Sequence, residues 1–273
     1  MEHEQRVLAG AVVEAGQRAL IVARNTMDVQ TKADRSPVTS ADLEVNRLLH
    51  EALIGAFPQD AWLSEESPDT PARLQHTRVW IVDPIDGTKA LVGGRPTWVI
   101  SAALAVDHQV VLGCIYNPST GELFSAQRGK GAFLNGHPIR ANAGAVSPLP
   151  LLVNHSEAEG GRFAVLGDRV THRSLGSIAY SLALVASGAA PAMITFDREN
   201  EWDVAAATVL LEEAGGSITD GEGRPFRFNQ PTPTYRGTIG VSAPALSAVA
   251  PFVEQLRRHL PPPPSESSPR DGA

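Results

Sequence analysis

The chain has 273 residues, 42% of them hydrophobic, and a formal net charge of -7. That length and apolar share can build one large domain or two modest ones sharing a cleft. The acidic balance lacks the clustered Lys and Arg that grip a nucleic-acid backbone, so no nucleic-acid polymer is expected as a partner, while one nucleotide in a pocket stays open.

Met1 to Arg6 is polar and charged and shows no signal-peptide pattern. No apolar run is long enough to span a bilayer, so no membrane contact and a cytoplasmic location are expected. The first predicted helix covers Val7 to Met27, where Leu8, Ala11, Val12, Ala15, Ala19, Leu20 and Val22 recur near the helical period. A loop rich in turn formers follows, Lys32 to Pro37. Ser40 is placed to cap a second helix, with Glu44 four residues later. Leu43, Leu48, Leu49, Leu53 and Ile54 form its apolar side, and Phe57-Pro58 ends it.

Val79 to Val82 reads as a short buried strand running into Asp83. Val99 to Val106 and Val110 to Tyr116 read as strands around a turn at Asp107-His108-Gln109. Glu122 to Ala126 and Ala132 to Leu134 continue the sheet, with Asn135-Gly136 as a hairpin turn. This first half is α+β. Ala143 to Pro150 is the candidate boundary between residues 1–145 and 146–260. Beyond it, Leu151 to Asn154 reads as a strand, Ile178 to Ala186 as an apolar helix and Ala192 to Phe196 as a strand. Val204 to Ala214 reads as a helix closed by Gly215-Gly216, giving an α/β half. The proline run from Pro261 to Pro264 and the polar residues to 273 read as a disordered tail.

The single cysteine, Cys114, lies in an apolar run and reads as a buried inert thiol. One cysteine forms no intramolecular disulfide. The chain has no zinc-type Cys/His cluster, and its eight histidines lack ligand spacing.

The densest chemical signal is Asp83-Pro84-Ile85-Asp86-Gly87-Thr88, directly after a buried strand. Two carboxylates on a tight turn can converge on one point, and carboxylate and carbonyl oxygens suit hard cations such as magnesium. Gly87 admits a ligand close to the backbone, and a helical turn from Thr88 would aim free N–H groups at an anion. Three further acidic segments stand apart in sequence: Trp62 to Ser67 with Glu65 and Glu66, Pro37 to Asp42, and Glu201 to Ala206 with Asp203. Taken singly, Glu65 and Glu66 read first as a solvated turn, and Asp42 and Asp203 as first-turn acids favoured by a helix dipole.

In this order and spacing the segments resemble the inositol monophosphatase superfamily, over roughly residues 5 to 255. The Gly176-Ser177-Ile178-Ala179 turn before an apolar helix fits too. The resemblance implies an α/β (α+β) fold, a layered α-β-α-β-α sandwich with the site between its halves. It implies a magnesium-dependent phosphomonoesterase with two or three ions. Glu65, Asp83 and the Ile85 carbonyl would hold the first metal, and Asp83, Asp86 and Asp203 the second. Glu65 is preferred over Glu66 because the family's ligand is the first acid of the pair, and neighbouring acids in a loop point apart. Thr88 with Asp42 would orient a water and accept its proton, so Glu65, Asp42 and Thr88 form the catalytic set. Backbone N–H groups of Gly87 and Thr88 would hold the phosphate, with Asp86, Lys89, Gly176, Ser177 and Ile178 on the substrate side. Lithium inhibition is expected. A homodimer, common in the inositol branch, stays open, and the sequence shows no interface.

Asp-Gly-Thr-Lys at 86–89 and Ser-Pro-Val-Thr at 36–39 resemble the 3′(2′),5′-bisphosphate nucleotidase branch. Lys89 is then either a cation for an extra phosphate or a solvated helix-start residue. Phe196 falls near the position where the inositol branch carries an acid for sugar hydroxyls, with Asp197 adjacent. Phe196 would either stack on a base or sit in the core. The expected substrate is therefore a small phosphate ester, adenosine 3′,5′-bisphosphate first, inositol 1-phosphate or histidinol phosphate as alternatives. A non-catalytic relative binding metal or nucleotide would lack Thr88, Asp42 or a ligand acid, and all of them are present.

Overall fold

The computed structural model describes residues 1–25, 27–33 and 36–260. The tail expected from 261 onward lies outside them, as do Thr26, Asp34 and Arg35.

Helical periodicity in the first segment produces α1 (Glu2–Asn25), which starts earlier than expected because Glu2 and Glu4 favour a helix N-terminus. Leu8, Val12, Ala15 and Ala19 form its buried stripe. A small hairpin, β1 (Val29–Thr31) and β2 (Pro37–Thr39), leads into α2 (Ser40–Ala56). Ser40 does not cap that helix. Thr39 has the extended backbone of an N-cap, its hydroxyl accepts from Ala41 and Asp42 N–H, and Asp42 accepts from the Thr39 N–H in return. Val45, Leu49 and Leu53 face the core, whereas Leu43 is half exposed. Each fully buried Val or Leu there contributes roughly 1.5–3 kcal/mol.

Seven strands from residues 61 to 138 form the first sheet: β3 (Ala61–Ser64), β4 (Arg78–Asp86), β5 (Val99–Val106), β6 (Gln109–Asn117), β7 (Glu122–Gln127), β8 (Gly131–Leu134) and β9 (His137–Pro138). They lie in sequence order, β3 parallel to β4 and every later pair antiparallel. The short helix α3 (Thr88–Val92) follows β4. Asn135 and Gly136 take positive φ in the β8–β9 turn, as expected.

The second sheet has the order β11-β10-β12-β14-β13. Its members in chain order are β10 (Leu149–Val153), β11 (Val170–Arg173), β12 (Ala192–Asn200), β13 (Ser217–Asp220) and β14 (Thr234–Val241). Between them run α4 (His155–Glu159), α5 (Ile178–Ala186) and α6 (Glu201–Glu213), and α7 (Leu246–Arg258) follows.

Strand alternation explains the layering. On β4, Trp80 and Val82 face α1 and α2, while Val79 and Ile81 face the other way. That second face packs on α5 and α6, which also cover Leu152, Met193 and Ile218 of the second sheet. The far face of the second sheet, with Leu151, Ile194 and Ile239, is covered by Val249, Val253 and Leu256 of α7. The result is an α-β-α-β-α sandwich, as the resemblance implied. The central helix layer touches both sheets, so one apolar cluster runs across the residue 143–150 stretch. Close approach is built in at Gly113, where a Cβ would stand 2.7 Å from the Ala206 carbonyl oxygen of α6.

Cys114 is buried in the first of these clusters, and burial pushes its thiol up to about 12, as an inert cysteine requires. Phe196 is also a core side chain, packed with Ile194, Ile239 and Val253, so it is not free to stack on a base. No helix among the described residues is long and apolar enough to cross a membrane.

Candidate active site

The Asp83–Thr88 segment is not a turn after a strand. β4 continues through Asp83 to Asp86, with a register shift between them against Ser101 and Val99 of β5. Residues three apart on a regular strand point to opposite faces. The irregularity at Pro84-Ile85 re-aims the chain, so the charge of Asp86 reaches Asp83 and raises its carboxyl. Gly87 then takes φ 98°, which a side chain would strain. A Cβ there would stand 3.2 Å from both the Gly176 and Thr97 carbonyl oxygens and 3.3 Å from Ser177 Cβ.

The second half closes on this segment. Asp86 Oδ2 accepts from Ser177 Oγ and from Ala179 N, each at 2.7 Å, so the start of α5 grips it. Ser177 is also the N-cap of α5. Asp203 occupies the third position of α6, in a capping box with Asn200, whose N–H donates to Asp203 Oδ2 at 2.5 Å. Ser101, the cross-strand partner of Asp83, donates to the Trp202 carbonyl at 3.3 Å. That bond ties the Asp203 end of α6 to the Asp83 strand.

Asp83 and Asp86 are buried and Asp203 is partly buried, and the carboxyls of all three are raised. Burial lifts Asp83 well above the usual range, helped by the charges of Glu65, Asp86 and Asp203. Burial takes Asp86 to about 7 against the hydrogen bonds from Ser177 and Ala179. Asp203 is raised by burial and then by Asp86. Among the described residues none of the three has an ion-pair partner. Three such acids without a cation repel one another, and a divalent ion resolves that repulsion. The donor set therefore fits a hard metal. The protein alone does not close a coordination group, since among the described residues no three such side chains form one. Asp86 and Asp203 are engaged by protein donors instead.

Glu65 lies near enough for its charge to raise Asp42, Asp83, Asp86 and Asp203. It is held by Lys32, whose Nζ donates to Glu65 Oε1 at 2.8 Å and to Glu66 Oε1 at 2.5 Å. The expectation that the two acids point apart is thus corrected. One ammonium carries three donors and draws both carboxylates to itself. Burial pulls the Lys32 ammonium down, but the two carboxylates outweigh it and hold its pKa above the ordinary value. Burial raises the Glu66 carboxyl even beside Lys32, yet the 2.5 Å contact is that of a charged pair.

Asp42 is buried under Thr39 and Thr88. Burial raises its carboxyl, and hydrogen bonds from Thr39 and Thr88 pull it back. Thr88 Oγ1 lies 3.0 Å from Asp42 Oδ1 and 3.1 Å from the Ile85 carbonyl oxygen. Lys89, Gly176, Ser177 and Ile178 line a shared pocket beside this cluster.

Glu199, a residue with no expected role, is 5% exposed and lies close enough to feel Asp203 and Asp86. Burial raises it well above the usual range, and Asn154 Nδ2 donates to it at 3.3 Å. Its only sequence signal is a place four residues before Asp203, where β12 outlasts its apolar run. Asp197 accepts from Ser156 Oγ and lies 3.6 Å from Arg162, on the rim.

The inositol monophosphatase family model matches residues 1–254. The chain is 34% identical over 218 residues to a histidinol-phosphatase of Chlorobaculum parvum, covering 74% of this chain and 79% of that one. It is 35% identical over 231 residues to an inositol-1-monophosphatase of Rhizobium meliloti, covering 80% and 85%. It is 31% identical over 230 residues to the 3′(2′),5′-bisphosphate nucleotidase CysQ of Aggregatibacter actinomycetemcomitans, covering 80% and 84%. Among solved structures, an IMPase of Thermotoga maritima superposes with a TM-score of 0.80 at 28% identity, over 92% of this chain and 96% of the other. With sandwich, acidic cluster and family match in agreement, the chain belongs to the inositol monophosphatase family, whose members are metal-dependent phosphatases acting on phosphate esters.

Proposed function

We propose that the protein is a magnesium-dependent phosphomonoesterase that hydrolyses a 3′(2′),5′-bisphosphate nucleotide, adenosine 3′,5′-bisphosphate being the reference substrate. The carrying observation is the Thr88–Asp42 hydrogen bond beside Asp83, Asp86 and Asp203, three aspartates with raised carboxyls and, among the described residues, no Lys or Arg partner. Glu65, Asp83, Asp86, Asp203 and the Ile85 carbonyl would hold two or three ions. Magnesium held there supplies positive charge to the phosphate oxygens and makes water a better nucleophile.

The chain's own groups do the rest. Thr88 Oγ1 can orient an attacking water, and Asp42, raised by burial, is a stronger base than an exposed aspartate. The backbone N–H groups of Gly87 and Thr88 would hold phosphate oxygens, in a loop whose Gly87 φ of 98° a side chain would strain. Ser177 and Ala179 fix Asp86 in one orientation. Asp203 is fixed by Asn200.

Lys89, beside the catalytic loop, favours an ester with further negative charge over inositol 1-phosphate or histidinol phosphate. The test is phosphate release from these three esters at equal concentration with magnesium, by wild type and Asp83→Asn. A preference of about tenfold for the bisphosphate, about 1.4 kcal/mol in transition-state binding, is expected, with loss of all release in the variant. Equal rates, or preference for another ester, would assign the chain to a different branch.

A further inference from the structure

A pocket of about 280 Å³ opens beside the catalytic loop, bounded by Lys89 and Arg95, by Asn154 and His155, and by the Gly176–Ile178 turn. It shares a wall with the site. Ser177, which holds Asp86, lines it, and so does Gly176, which packs against Gly87. At the small end of ligand-pocket sizes, roughly 300–1,000 Å³, it suits one substituent of a ligand rather than a second molecule.

Its lining carries two cations, Lys89 and Arg95. Arg73, Arg78 and Arg162 each sit against a carboxylate. Among the described residues neither Lys89 nor Arg95 has an ion-pair or side-chain hydrogen-bond partner. Arg95 Nη2 lies 3.7 Å from where a Cβ on Gly176 would stand, so the guanidinium reaches over the turn into the pocket. Glu159 is the one acid among the lining residues, 3.3 Å from His155 Nε2 and mostly exposed, and Asp197 stands behind Ser156, whose Oγ donates to it. Two unpaired cations therefore face a cavity that adjoins the buried aspartates.

Building on the phosphatase reading, the geometry points to this pocket as the subsite for a second phosphate of the substrate, gripped by Arg95 with Lys89 beside it. A guanidinium presents paired donors matched to phosphate oxygens, and the ammonium adds a point charge. The phosphate to be cleaved sits at Gly87 and Thr88, and a sugar between the two would pass the Gly176–Ser177 turn. The same cations would repel an ester carrying an ammonium group and would leave a neutral polyol without a contact there.

The test uses the full chain in an Asp42→Asn background, where turnover is held back, with magnesium present. Equilibrium binding is measured for adenosine 3′,5′-bisphosphate and for adenosine 3′-monophosphate, which lacks only the distal phosphate. The bisphosphate is expected to bind at least tenfold more tightly, and Arg95→Gln or Lys89→Gln should each cut that ratio to below threefold. Both side chains are exposed, so the substitutions leave the core packing untouched. Equal affinities in the parent, or a ratio that neither substitution moves, would overturn the subsite. Phosphate release from p-nitrophenyl phosphate by wild type tests the phosphatase reading on its own. Release with an unmoved ratio sinks the subsite alone, and a moved ratio without release sinks the phosphatase reading alone.

Discussion

Thr88 Oγ1 and Asp42 Oδ1 stand 3.0 Å apart across 46 residues of chain. The other oxygen of Asp42 is occupied by the Thr39 N–H, so the helix cap fixes the carboxylate and leaves Oδ1 for Thr88. In the proposed mechanism a residue of the helix capping box becomes part of a proton path. Asp42→Asn and Thr88→Ala should each lower kcat by about 10²–10⁴-fold, the usual reach of general-base catalysis, with little change in KM. Thr88→Ser keeps the hydroxyl and should retain most activity. Steady-state kinetics checks this, and an Asp42→Asn enzyme with normal kcat would remove Asp42 from the chemistry.

The buried aspartates destabilise the metal-free protein. Removing one charge at constant shape relieves that repulsion. Asp83→Asn should raise the melting temperature in EDTA by about 2–4 °C, the equivalent of about 1 kcal/mol in a chain of this size. The same substitution should abolish the stabilisation that magnesium gives the wild type and eliminate phosphate release. Thermal melts with and without magnesium decide it. An unchanged or lowered melting temperature in EDTA would argue against repulsion as the dominant cost.

Lys32 holds the Glu65 carboxylate that the proposed metal site would use. Lys32→Met frees that carboxylate, so half-saturating magnesium should fall by about 3- to 10-fold, a share of the roughly 1.5–3 kcal/mol of a charged hydrogen bond. The pair is partly exposed, and salt should shrink the difference. Magnesium titrations at low and high ionic strength would reveal it, and a higher magnesium requirement in the variant would reverse the assignment.

Gly87 is a close contact between the two halves. Gly87→Ala must accept φ 98° and place a methyl against two carbonyl oxygens. A loss of about 1–3 kcal/mol in stability is expected, from left-handed strain and the crowding. Activity should fall further than stability, because relief requires the Ser177 turn to move away from Asp86. Denaturant melts and kcat on one preparation separate the two, and an alanine variant of normal stability would show that the turn is free to shift.

Much of this molecule is written locally. The helical stripe of α1, the bounds of β5 and α5 and the Asn135-Gly136 hairpin follow from side-chain period and turn chemistry, which act over a few residues. The carboxylate-rich segment at the end of a buried strand and the acids at three other points are equally legible. What the sequence could not settle depends on partners far along the chain. Thr39 rather than Ser40 caps α2 because backbone angles decide the cap. The β4 irregularity that lets Asp83 and Asp86 act together is a property of pairing with β5. Asp86 is held from 91 and 93 residues away, Lys32 gathers Glu65 and Glu66 from 33 and 34 away, and Glu199 enters the cluster only because β12 runs on beside it. The amino acids determined which oxygens were on offer. Only the packing of two sheets around shared helices decided which of them face one another, because burial and mutual charge exist only once distant segments have met.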